Sequence, residues 1–166
     1  KFAGDRLRTI LAAMTKNRIM GVLTGVTVTA LIQSSSASIG ILQSLSMTGA
    51  ISLNSSIYLI FGMNIGTCIT AWIGAAGGSK DAKRTARIHL LFNIIGTVIF
   101  VILVQFIPFV SIVEKMSTDP KIQIANANII YNAPSFFLRT KASFIQFSNT
   151  KKLKAVFMKL HVLQWI

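Results

Sequence analysis

Acid is scarce in this chain of 166 residues: four Asp and Glu stand against seventeen Lys and Arg, and charged residues of all kinds make up 13%. A soluble domain carries about a quarter charged residues, so roughly half of what is needed to cover a surface is missing. An ordinary cytosolic globule is excluded. Between Ile19 and Ser79 there is no Asp, Glu, Lys, Arg or His, and from Ile88 to Val113 His89 is the only residue of those five types. A proton pump keeps an acid or a histidine inside the membrane, so the first of these stretches is not built for proton transfer. The single cysteine, Cys68, allows no internal disulfide and, lying in an apolar run, reads as a small core residue. No methionine or signal-peptide pattern opens the chain at Lys1, and the sequence reads as an internal piece of something longer.

What is present is apolar length. Hydrophobic residues make up 52% and the mean hydropathy is +0.64. Each charge-poor stretch is long enough for a hydrocarbon core, which takes about 20 apolar residues per helix. The net charge of +13 sits in blocks beside those stretches: Lys1 to Arg18, the run Lys80, Lys83, Arg84 and Arg87, and a tail from Lys121 to Lys159. Nucleic-acid binders mix bases with aromatics along one solvated face, and this chain does not. Blocks of Lys and Arg are the loop chemistry of a polytopic membrane protein, with the lipid bilayer as its partner and no nucleic acid.

Residues 1–18 read as an amphipathic basic lead-in helix, with Leu7, Ile10, Leu11 and Met14 at helical spacing. Residues 19–120 read as the membrane domain. Ile19 to Ile32 is too short to span alone, and Gly21, Gly25, Thr29 and Gln33 recur every fourth residue as a strip along which another helix can approach closely. Gln33-Ser34-Ser35-Ser36 then interrupts the apolar run, because serine hydroxyls cap backbone groups and restart a helix. Two short helices meeting at a polar tip, at mid-membrane depth, are expected. A second break is expected over Gly62 to Thr67, within Ile51 to Ala75. Ile88 to Ile107 is a conventional span stopped by Pro108. Residues 121–166 form a basic, acid-free tail without a spanning run, to which the pattern gives no architecture; its composition suggests translation out of frame after about Ala127.

In hydrocarbon, a broken helix is tolerated only where it lines a cavity or is buried in protein. Half-helices meeting inside a membrane turn N-termini toward anions and freed carbonyls toward cations, as in transporter sites. Neutral oxygens without a carboxylate suit a hard monovalent cation such as sodium.

Thr29-Ala30-Leu31-Ile32-Gln33-Ser34-Ser35-Ser36-Ala37, followed by Gly62-Met63-Asn64-Ile65-Gly66-Thr67-Cys68-Ile69-Thr70-Ala71, resembles the sodium/phosphate cotransporter family of the type II kind. The segment His89-Leu90-Leu91-Phe92-Asn93 is similar to it as well, so the likeness covers roughly residues 3 to 128. It implies an all-α integral membrane fold with broken helices and a re-entrant helical hairpin, as one copy of an inverted-repeat unit. It implies sodium-coupled transport of inorganic phosphate, no enzymatic activity, no cofactor beyond sodium as coupling ion, and residence in a bacterial inner membrane. Gln33, Ser34, Ser35 and Ser36 would contact phosphate and sodium; Thr67 and Thr70 would turn hydroxyls to sodium; Asn64 would hold the unwound backbone or add a carbonyl ligand. The sodium set is Gln33, Ser34, Thr67 and Thr70. Relatives carry two copies of the Q-S-S-S unit and this sequence has one, which implies a missing second repeat or self-association. The alternative is a non-transporting membrane scaffold, or a truncated product, that keeps the fold without a complete site.

Plainer roles compete at other positions. Gly21 and Gly25 suit helix packing better than substrate contact. His89 and Asn93 form either a coupling relay or an interhelical hydrogen bond, the second being favoured. Thr24, Thr27 and Thr29 are expected to bond their own helix, and Lys80 to Arg87 to set topology. If Ile19 to Met47 is a hairpin and Ile51 to Ala75 crosses once, the two basic clusters fall on opposite sides; otherwise Ile51 to Ala75 also turns back.

Overall fold

The computed structural model describes residues 17–147, with side chains as far as Pro134. Most of the expected lead-in helix and the end of the tail lie outside the described residues. Among the described residues the fold is all-helical. Helix α1 spans Arg18–Ile32 and starts where the Asn17 side chain accepts from the Ile19 amide. Helix α2, Ser35–Met47, follows after two residues. A turn through Gly49, at φ 67°, leads to α3, Leu53–Ala75, capped by Ser52. Ser79 caps α4, Lys80–Phe106. Pro108 forces Ile107 into extended backbone and ends that helix. The short α5, Phe109–Met116, precedes α6, Pro120–Phe147, which opens on a proline whose missing N–H costs nothing there.

Expectation and structure part at the second break. Helix α3 runs through Gly62 to Thr67 without interruption. Glycine there serves close approach instead of unwinding. A Cβ on Gly62 would overlap the Val22 carbonyl oxygen of α1, one on Gly25 would overlap the Leu59 carbonyl oxygen of α3, and one on Gly66 would lie 2.7 Å from the Val26 oxygen. The two backbones therefore touch along a seam of glycines, the arrangement by which helices associate without a hydrophobic drive.

This seam fixes direction and register. Gly21 faces Tyr58, Gly25 faces Leu59 and Met63, and Gly66 faces Val26, Thr29 and Ala30. Residue numbers rise together, so α1 and α3 are parallel, and α2 must return between them as the second arm of a hairpin. Helix α4 runs the other way: Asn93 bonds Cys68, Thr97 bonds the Phe61 carbonyl, and Arg18 at the start of α1 donates to Gln105 near the end of α4. Because α3 does not turn back, Arg18 and the cluster Lys80 to Arg87 lie at opposite ends of the bundle.

The core gathers around Phe61, which stacks on Tyr131 at 5.1 Å between ring centroids and meets Tyr58, Phe100 and Phe109 at 5.7 to 6.4 Å. Ile124, Ala127 and Tyr131 of α6 are fully or almost fully buried. The start of the tail, which the pattern left without architecture, thus contributes to the core. The compact unit containing α1 to α5 extends to Tyr131. Helices α3 and α4 are long and apolar enough to cross a membrane. Half of the apolar stretch of α3 is buried inside the protein, whereas α4 leaves most of its own exposed.

Candidate functional site

The hairpin tip is made by two residues. Gln33 takes the left-handed conformation, φ 58° and ψ 21°, and its amide donates to the Thr29 carbonyl at 2.8 Å, closing α1. It is the only described residue other than glycine with positive φ, a strained choice that a turn at a functional site tolerates. Ser34 is extended and caps α2: its Oγ accepts from the Ala37 amide at 3.3 Å and lies 3.2 Å from the Ser36 Oγ. The Ser38 hydroxyl, fully buried, donates to the Ser34 carbonyl at 2.9 Å and ties the tip to the first turn of α2.

At this tip the C-terminus of α1, with its last carbonyls, and the N-terminus of α2, with its first amides, point to one place. Gln33, Ser35 and Ser36 are exposed and Ser34 is half-buried, while Leu31 and Ile32 beside them are also exposed. The tip is thus a polar island in an apolar surface. Such a point attracts an anion on one helix end and a cation on the other.

Register places the remaining residues. Thr29 lies against Gly66, so one turn further Gln33 is level with Thr70, which shares the seam-facing side of α3 with Gly62 and Gly66. Thr70 Oγ1 donates to the Thr67 carbonyl at 2.7 Å, and Thr67 Oγ1 to the Met63 carbonyl at 2.9 Å. Both hydroxyl oxygens keep lone pairs. Asn64 does not join them. It lies about 9 Å back along the axis, on the side of α3 that faces α4, and its amide donates to the Ile60 carbonyl at 2.8 Å. With no unwound backbone to hold, the first of its two expected tasks disappears.

Depth also departs from expectation. The antiparallel register sets the tip level with Leu90, close to the start of the apolar stretch of α4 and a turn from Arg87, not at its middle. The reason is that α1 starts level with α3 and runs almost as far.

Thr24 and Thr27 bond the carbonyls of Met20 and Leu23, as expected of helix threonines. Thr29 does not: its hydroxyl is fully buried in the seam and has no hydrogen-bond partner. The fourth-residue strip that contains it was visible in the sequence, but only packing shows that its oxygen is left over. Asn93, 2% exposed, donates across to Cys68 Sγ of α3 and, within α4, to the His89 carbonyl, both at 2.9 Å; the first is an interhelical bond of the kind expected there.

Comparison with known proteins places the sequence. Residues 1–129 match the Na+/Pi-cotransporter family. The chain is 38% identical over 120 residues to YqeW of Bacillus subtilis (strain 168), covering 70% of this chain and 37% of that protein. It is 38% identical over 99 residues to sodium-dependent phosphate transport protein 2A of Rattus norvegicus, covering 56% of this chain and 15% of the relative. Human sodium-dependent phosphate transport protein 2B is 35% identical over 88 residues, 49% of this chain and 13% of the relative. The chain therefore spans well under half the length of these relatives. No solved structure matches it. The match over residues 1–129, most of the sequence, carries the assignment: the chain belongs to the Na+/Pi-cotransporter family.

Proposed function

We propose that this chain forms part of a transporter that carries inorganic phosphate across the bacterial inner membrane in symport with sodium. The observation that carries the reading is the interruption at Gln33 and Ser34, which brings the negative end of α1 and the positive end of α2 to one polar point. Phosphate is held by the hydroxyls of Ser34, Ser35 and Ser36 and by the first amides of α2. Sodium is held by oxygens of Gln33, Ser34, Thr67 and Thr70 with the last carbonyls of α1. The leftover Thr29 hydroxyl lies directly beneath and supplies a further oxygen. The α1–α2 hairpin enters and leaves on one side of the bilayer.

One hairpin offers an anion too few donors, and its exposed polar groups need cover in hydrocarbon. A second copy of the unit, in the same protein or from a partner chain, completes the site. The test is uptake of radiolabelled phosphate into proteoliposomes by the intact gene product. A sodium gradient is expected to drive it. Absence of uptake, with protein inserted and folded, overturns the reading in favour of a membrane scaffold; uptake indifferent to sodium removes the coupling.

A further inference from the structure

The outward side of α4 changes character along its length without changing direction. Lys80, Lys83, Arg84 and Arg87 recur at intervals of three, one and three, so they share one side of the first two turns. Lys80, Arg84 and Arg87 are exposed and Lys83 is half-buried. Continuing the same spacing leads to Leu91, Ile94, Val98 and Ile102, exposed by 57%, 40%, 54% and 53%. Ala86, Asn93 and Thr97 are the buried side of this helix. A single stripe therefore runs from a cluster of bases directly into a lipid-length apolar surface.

Nothing within the described protein neutralises the bases. Among the described residues none of the four side chains is held in an ion pair or hydrogen bond, and Asp81 is the one acid in the first turn. Bases at the positive end of a helix dipole are also disfavoured by the backbone itself. Their charge calls for an external anion, and the surface that continues from them calls for an apolar body attached to it. A free anion would use only the first half of the stripe.

We propose that this stripe seats one anionic phospholipid, with its phosphate headgroup against Lys83, Arg84 and Arg87 and its acyl chains along Leu91, Ile94, Val98 and Ile102. This rests on the membrane placement of α4 and not on the transport reading. The bases lie at the level where a headgroup meets the hydrocarbon, since the apolar stretch begins at Ile88. Charge complementarity and the continuous apolar track together favour a lipid.

The test is native mass spectrometry of the full chain extracted from bilayers of equal phosphatidylglycerol and phosphatidylcholine. Retained lipid is expected to be phosphatidylglycerol. Replacing Lys83→Gln, Arg84→Gln and Arg87→Gln together should lower that preference roughly a hundredfold, at about a fivefold loss per base. The charge-keeping set Lys83→Arg, Arg84→Lys and Arg87→Lys should retain it. High potassium chloride should weaken it in the unaltered chain, which tests the proposal without any variant. Equal retention of both lipids overturns the proposal. So does release of the lipid by inorganic phosphate, which would mark an anion site alone, or a dimer that hides the stripe from lipid.

Discussion

Thr29 and Gly66 occupy one another's space: the Cβ that Gly66 lacks would sit 2.9 Å from the Cβ of Thr29, and the Thr29 hydroxyl beside it is buried without a partner. A buried hydroxyl left unpaired costs about 1–3 kcal/mol. Replacing Thr29→Val removes that cost at nearly constant shape. In a purely structural position the variant should be as stable as the parent or more so. We expect stability to hold, by thermal unfolding in detergent, while the sodium concentration for half-maximal uptake by the intact transporter rises roughly tenfold, about 1.4 kcal/mol. Unchanged sodium dependence would place the hydroxyl outside the ion site.

The glycine seam should tolerate no side chain. Gly62→Ala puts a methyl into the Val22 carbonyl, and neither backbone can move away cheaply. A loss of about 1–3 kcal/mol is expected, with lower membrane abundance. Gly40→Ala and Gly74→Ala meet open space and should be silent or slightly stabilising. Equal tolerance at all three positions, measured by melting in detergent, would mean that the helices do not pack this closely.

At the tip, Ser35→Ala should weaken phosphate uptake by roughly ten- to a hundredfold in affinity, the value of about 1.5–3 kcal/mol for a hydrogen bond to a charged group. Gln33→Glu adds a carboxylate beside the anion and should be worse at neutral pH. Uptake normalised to surface expression separates these from defects of insertion. Wild-type curves for both would move the site elsewhere.

On α3, Thr70→Val should raise the sodium requirement more than Asn64→Ala does, because register aligns Thr70 with Gln33 and turns Asn64 toward α4. The reverse order in sodium titrations of uptake would show that the register changes in the working transporter.

Tyr131→Phe should cost about 0.5–1.5 kcal/mol. The Tyr131 hydroxyl lies 2.9 Å from Thr97 Oγ1 inside the core, and the ring itself would stay stacked on Phe61. Urea or thermal unfolding reads the loss; no change would mean that water replaces the bond.

The hairpin was legible because its signals are local. Serines that cap, a charge-free context and a fourth-residue strip from Gly21 to Gln33 all act within a turn or two of their own position. The second break was misread for the opposite reason. Gly62 and Gly66 look alike whether they unwind a helix or admit a neighbour, and the neighbour that decides, Val22 with Val26, lies about forty residues away in sequence. The core role of Ile124, Ala127 and Tyr131 was hidden in the same way, since a polar, interrupted segment gains its place only from Phe61 and Thr97. The candidate residues divide in the same way. Gln33 to Ser36 could be placed at the tip from the motif, whereas Thr70, Thr67 and Asn64 are told apart only by which side of an unbroken helix they occupy.

The same register decides how a membrane voltage would act on the tip. From Leu53 to the level of Thr70 the rise is about 26 Å, most of a hydrocarbon core of about 30 Å. Moving one elementary charge through the whole field is worth about 2.3 kcal/mol per 100 mV. In the proposed transporter, an ion reaching the tip from the Leu53 end would traverse nearly all of that drop before binding, and one arriving from the Ala75 end would traverse little. Loading from one side would therefore be electrically steep and loading from the other nearly flat, an asymmetry set by where the glycine seam lets α1 rest on α3.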